Sequence, residues 1–210
     1  GRGGDILIAA GKLSLLGGGF ISSSAYGAAG DGGNLLIIAM DSLSISGRAP
    51  NGLSSMLVNY TSGAGNAGRI QIVTPVLDIG EHGSIGAETL GTGRAGDIDV
   101  TAGTITLSAG ARISNSAFGT TGQGGNITVT AADAVRITGR DTQGNPSGIF
   151  TYAAAQGDAG TILLSAPDVA LSDGASIGAD TVGNGNAGNI DLSVQRLALS
   201  GGANITSGSI

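Results

Sequence analysis

The 210-residue chain contains no cysteine and no tryptophan, and only 3% of its residues are aromatic and 11% charged. Without cysteine there are no disulfides and no thiolate-bound metal. Basic residues, Lys12 and eight arginines in a chain of net charge −6, are too few and too scattered for the clustered cations that nucleic acid requires. Four prolines and the lack of a G-X-Y period exclude collagen. No apolar run approaches a membrane span, LLIIAM (35–40) being among the longest. No segment sustains a 3.6-residue apolar period, so essentially no helix is expected. What is abundant is glycine, 41 residues, in a chain that is 40% apolar. That is too apolar for a disordered glycine-rich linker. A core of aliphatic side chains of similar size suits repeated layers.

The glycines recur in order. Gly4, Gly33, Gly68, Gly96, Gly125, Gly160 and Gly188 each precede a short alternating apolar run, at intervals of 29, 35, 28, 29, 35 and 28 residues. Any three consecutive intervals total 92, so three unequal units form a larger repeat. SIGAETLGTGRAGDIDV (84–100) and SIGADTVGNGNAGNIDL (176–192) are identical at 11 of 17 positions. Self-similarity on this scale marks a solenoid or a propeller. Within a unit the apolar positions form three groups, for example Ile98 and Val100, Ile105 and Leu107, then Ile113, which read as three short strands between turns.

A propeller blade needs four antiparallel strands in a longer unit, often with an aromatic signature. The pattern predicts instead an all-β, right-handed parallel β-helix, the hand following that of parallel crossovers. It has about seven coils of 28–35 residues and forms one continuous domain over 1–210, with coils starting near 4, 33, 68, 96, 125, 160 and 188. The inward aliphatics of a single coil cannot offset the entropy of ordering it, so stability belongs to the stack. Gly63, Gly65 and Gly68 have the G-x-G-x-x-G spacing of a dinucleotide loop, but a strand rather than a helix follows. The spacing also recurs in GTGRAG (91–96) and GNGNAG (183–188). These glycines are therefore read as corners, with glycine supplying positive φ and close approach between coils.

GNAGRIQI, GRAGDIDV and GNAGNIDL, with LSGGANIT (199–206) and LSDGASIGADT (171–181), resemble the repeat region of filamentous-haemagglutinin-like exoproteins, large adhesins exported by two-partner secretion. The resemblance covers all seven units. It implies a secreted or surface-displayed bacterial protein that passes through an outer-membrane export partner. The sequence begins and ends inside the pattern, Ile210 stopping partway through a coil, so the chain is expected to be a segment of a longer array.

Catalytic residues on a β-helix would come from outward columns of stacked coils, and no column places two carboxylates in adjacent coils as glycosidases need. Asp99 and Asp191 have Gln71, Thr128 and Leu163 as neighbours, and Glu88 lies between Tyr60 and Ser116. No catalytic, cofactor or metal residues are assigned. His82 is read as an exposed turn residue, and Arg69 and Asp97 as an ion pair between coils. Three sequons, at Asn59, Asn126 and Asn204, are candidate glycan acceptors.

The candidate contact residues lie elsewhere. The 35-residue units insert RAPNGLSSM (48–56) and RDTQGNPSG (140–148), two loops with Arg48, Asn51, Arg140 and Asn145, expected to project from one side about 14 Å apart. One outward column reads Tyr26, Ser62, Leu90, Phe118, Ala154, Val182, and Tyr60 and Tyr152 line the next. This strip is either a lateral or glycan-stacking surface or a face that the extra loops cover. The leading expectation is a non-catalytic adhesin shaft whose partners are a host or neighbouring cell surface, a glycan or extracellular matrix, or copies of itself. The alternatives are a self-assembling filament without a specific receptor and a polysaccharide lyase or hydrolase.

Overall fold

The computed structural model describes residues 1–209, Ala155 by its backbone alone; Ile210, where the sequence stops within a coil, lies outside the described residues. The chain folds as a parallel β-helix, with no helical segment among the described residues. Long strands β1 (Ile6–Leu16), β3 (Leu35–Ser46), β5 (Ile70–Ile79), β7 (Ile98–Ser108), β9 (Ile127–Thr138), β11 (Ile162–Ser172) and β13 (Ile190–Leu199) stack in that order into one seven-stranded sheet. Short strands β2 (Phe20–Ser22), β4 (Met56–Thr61), β6 (Ser84–Thr89), β8 (Arg112–Ala117), β10 (Gly148–Ala155), β12 (Ser176–Gly183) and β14 (Asn204–Thr206) form the second. Every strand pair is parallel and joins one coil to the next.

The three strand signals of each unit thus become two strands. In β5 the inward residues are Ile70, Ile72 and Thr74, then Leu77 and Ile79. Two successive outward residues, Pro75 and Val76, shift the alternation by one and bend the strand without ending its pairing. Inside, like residues stack: Leu57, Ile85, Ile113, Ile149 and Ile177 form one ladder, all fully buried.

The seven anchor glycines also stack, for one of the two expected reasons. None of them has positive φ. A Cβ on Gly33, Gly68, Gly96, Gly125, Gly160 or Gly188 would instead collide with the carbonyl oxygen of the anchor glycine one coil earlier. Close approach alone demands glycine here. Side-chain ladders flank this corner. Asp97 Oδ1 accepts the Asn126 N–H at 2.8 Å, and Asn126 Oδ1 accepts the Thr161 N–H at 3.0 Å. In a parallel column Asp31 and Asn66 accept from Asn66 and Arg94, each at 2.8 Å. These bonds explain the Asn and Asp of the corner motif.

Left-handed backbone is concentrated at the opposite turn. The shorter coils turn through two consecutive residues of positive φ, such as Ala109 (50°) and Gly110 (82°), or Glu81 (40°) and His82 (66°). The two longer coils replace that turn with the inserted loops.

Candidate functional site

The loops are equivalent small hairpins. Arg48 bridges Ser54, and Arg140 bridges Pro146, in antiparallel pairing, and Gly52 and Gly144 take positive φ at the tips. A buried serine clamps each base. Ser55 Oγ donates to the Ser46 carbonyl at 2.7 Å and accepts the Gly18 N–H at 3.0 Å. Ser147 Oγ donates to Thr138 at 2.8 Å and accepts from Gly110 at 2.9 Å. Each loop leans on the preceding coil, Ala49 packing over Gly18 and Asp141 over Gly110, where a Cβ would not fit. The loops therefore do not cover the aromatic strip, which lies at the far end of the short strands. Tyr26 there is 75% exposed and Phe118 49%.

Arg48 and Arg140 line one groove of about 470 Å3, floored by Glu81, His82 and Ala109 of the two intervening coils. Asn51 and Asn145 serve their own loops: Asn51 Oδ1 accepts the Leu53 N–H at 3.1 Å, and Asn145 Nδ2 donates to Asp141 at 2.8 Å. His82 is not an exposed, partnerless turn residue. Its side chain is only 19% exposed and Nδ1 lies 3.2 Å from Asp141 Oδ2, a carboxylate that the second inserted loop brings over it. Hydrogen bonds from Asn145, first from its side chain, and from Gln143, with His82 nearby, hold the Asp141 carboxyl down at about 2.

The ion pair expected between Arg69 and Asp97 forms otherwise. Arg69 Nε reaches Asp99 at 2.6 Å, because Asp97 is occupied by Arg94 at 2.8 Å and by the Asn126 N–H. Asn59, a sequon residue, is fully buried, its amide donating to the carbonyls of Gly33 and Arg69, so it offers no glycan acceptor. Asn126 Oδ1 is engaged in the corner ladder. Among the described residues no three histidines, aspartates or glutamates gather as a metal site would require.

On the outer face of the short-strand sheet the expected columns hold: Glu88 stands beside Tyr60 and Asp180 beside Tyr152. The aromatic residues meet in two pairs, Tyr26 with Tyr60 at 5.8 Å between ring centroids and Phe118 with Tyr152 at 5.7 Å, both tilted. Beside the second pair a groove of about 310 Å3 runs across four coils, lined by Glu88, Arg112, Ser114, Phe150, Tyr152 and Asp180 among others. The Arg112 guanidinium lies 5.5 Å from the Phe150 ring centroid. Desolvation pushes the Glu88 carboxyl above the ordinary glutamate range, opposed by Ser114 at 3.3 Å and by Arg112. Sequence reasoning missed Arg112, Ser114 and Phe150, although outward alternation along β8 and β10 places them on this face.

No protein-family model, curated protein or solved structure matches the chain.

Proposed function

We propose that the chain is a non-catalytic shaft of a secreted or surface-displayed bacterial adhesin, a stiff rod presenting repeated surfaces for multivalent attachment. The observation that carries this reading is the recurrence of the same clamped loop every third coil on an uninterrupted stack. Weak contacts at equivalent points of one rigid body reinforce each other through effective concentration. The resemblance to filamentous-haemagglutinin-like repeats agrees with export and display. The carboxylates support binding rather than hydrolysis. Glu88 and Asp180 stand three coils apart, about 14 Å by strand spacing, whereas glycosidase pairs lie roughly 5–9.5 Å apart.

The test is attachment of the purified chain to immobilised epithelial cells and extracellular matrix, compared with a variant in which both loops are cut to the two-residue turns of the shorter coils. Attachment that falls more than additively as the two loops are removed supports the reading. Attachment independent of the loops makes them spacers, and no attachment to any surface refutes the adhesive role.

A further inference from the structure

Most outward residues of the groove on the short-strand sheet have a counterpart 92 residues earlier, with Phe20 in the place of Arg112. Its floor and walls, Ser114, Ser116, Phe118, Phe150, Tyr152 and Asp180, lie 92 residues beyond Ser22, Ser24, Tyr26, Val58, Tyr60 and Glu88. Hydroxyl stands over hydroxyl, ring over ring and carboxylate over carboxylate, with aliphatic Val58 in the place of Phe150. Nothing in the packing of the stack requires this, because all these side chains point away from the aliphatic ladders. Gly86 and Gly178, also 92 apart, leave the position beside each carboxylate without a side chain. Each copy therefore sets a tilted pair of aromatic rings beside a carboxylate, and the second copy lines the groove. Aromatic faces set among a few fixed polar groups suit a small-ligand site, and the groove at Phe118 and Tyr152 reaches the lower end of the roughly 300–1,000 Å3 that such sites occupy.

The charges select the class of ligand. Glu88 and Asp180 oppose an anion, and Arg112 with its face over Phe150 opposes a cation. Glu88 is half-buried and accepts a hydrogen bond from Ser114 at 3.3 Å, so it also serves as a fixed hydrogen-bonding group. Ser114 offers a further hydroxyl, and the aromatic faces suit the C–H surface of a ring that is apolar on its flat side and polar at its edge.

We propose that this groove and the matching aromatic cluster 92 residues earlier are binding subsites for a neutral oligosaccharide, whose pyranose rings stack on Tyr152 and Phe118, and on Tyr60 and Tyr26, while their hydroxyls bond the neighbouring carboxylates and serines. The inference rests on the reading of the chain as a binding shaft and gives that shaft a ligand. Successive subsites lie three coils apart, about 14 Å, so one extended chain spans both.

The protein carries its own reporter. It has no tryptophan, and its three tyrosines, Tyr26, Tyr60 and Tyr152, all belong to the subsites. Tyrosine fluorescence of the whole chain is to be titrated with hexamers of cellulose, starch and galactan type, with polygalacturonate as the anionic probe and chitosan oligomers as the cationic one. Saturable quenching by at least one neutral hexamer is expected. Tyr152→Ala and Asp180→Asn should each weaken it at least tenfold while circular dichroism stays unchanged. Absence of saturable quenching with every neutral hexamer, or affinity unchanged in both variants, overturns the assignment. Preference for polygalacturonate or chitosan overturns it in favour of a charged ligand. Loop-dependent cell attachment without any saccharide response would sink this inference and leave the shaft standing.

Discussion

Gly96→Ala tests the physical basis of the stack. The added methyl would press on the Gly68 carbonyl oxygen, far inside any distance that real Cβ atoms show, and stand 3.0 Å from the Gly68 carbonyl carbon and from Ala87 Cβ. These are backbone and packed core atoms, so no flexible side chain can yield. To clear the clash the two coils must part by on the order of 1 Å at this corner, against a strand spacing of about 4.8 Å. The bonds under load are Ile70 N–H to the Asp97 carbonyl, which joins these two coils, and Ile98 N–H to the Asn126 carbonyl, by which the displaced corner meets the next coil, both 2.9 Å. Overpacking with two weakened hydrogen bonds gives a loss of about 2–5 kcal/mol. Gly27→Ala is the control, since nothing lies within 4 Å of its new methyl and its φ is not positive. It should be neutral or stabilising by up to about 1 kcal/mol. Urea unfolding followed by circular dichroism measures both, and amide exchange at Ile70 and Ile98 locates the damage, since a solenoid opens in blocks. A Gly96→Ala chain within about 0.5 kcal/mol of wild type would refute contact-enforced glycine.

Three further outcomes follow from the same geometry. Asn59→Leu leaves the Gly33 carbonyl and the Ser23 N–H without their buried partner and should cost about 2–4 kcal/mol in urea unfolding. Asn59→Thr, which copies Thr151 of the equivalent coil and its bond to the Gly160 carbonyl, should cost less than half as much. Asp141 titrates at about 2 in the folded chain against 3.8 without the fold, so its contribution is present above about 3.8 and is lost as pH falls through about 2. Limited pepsin cleavage within 140–146 should therefore rise across that window, and Asp141→Asn should cleave readily at its upper end. Arg69→Ala removes a pair whose arginine is 52% exposed and should change stability by no more than about 0.5 kcal/mol.

What could be read from the sequence is what repeats. Ile85 and Ile177 fall on one ladder because their 92-residue spacing is a whole number of coils, and the same spacing located the aromatic columns. What escaped is set by contacts that no period carries. His82 meets Asp141 only because an inserted loop reaches back toward it from two coils away, and the matching position of the other loop is Ala49. Arg69 had two acidic candidates in the next coil. The choice of Asp99 depended on Asp97 already accepting a backbone N–H, a competition invisible without coordinates. The corner glycines were identified for backbone freedom as well as contact, and at Gly33, Gly68, Gly96, Gly125, Gly160 and Gly188 only contact operates. The bend within each long strand has no invariable turn residue of its own, only a shift in alternation, so one strand was read as two.

The outer faces of the two sheets differ in a way that bears on function. Both were copied by the same 92-residue repeat, so both began with equal reason to be alike. On the long-strand sheet the copies have diverged in chemistry: Leu7 and Asp99, Leu36 and Thr128, Ile38 and Thr130, Gln71 and Leu163, Val76 and Asp168 occupy equivalent outward positions. On the short-strand sheet Ser24 and Ser116, Tyr60 and Tyr152, Gly86 and Gly178, Glu88 and Asp180 keep their type, while Phe20 and Arg112, and Val58 and Phe150, do not; on the long-strand sheet Asp99 and Asp191 are identical. Fold stability cannot be the cause, since outward side chains on either sheet contribute little to the interior ladders. A requirement on the aromatic and carboxylate positions themselves accounts for their retention. It follows that Leu163→Gln, which copies Gln71 of the equivalent coil, should alter urea stability by no more than about 0.5 kcal/mol and leave saccharide quenching unchanged. Loss of quenching in Leu163→Gln would place the constraint on the wrong sheet.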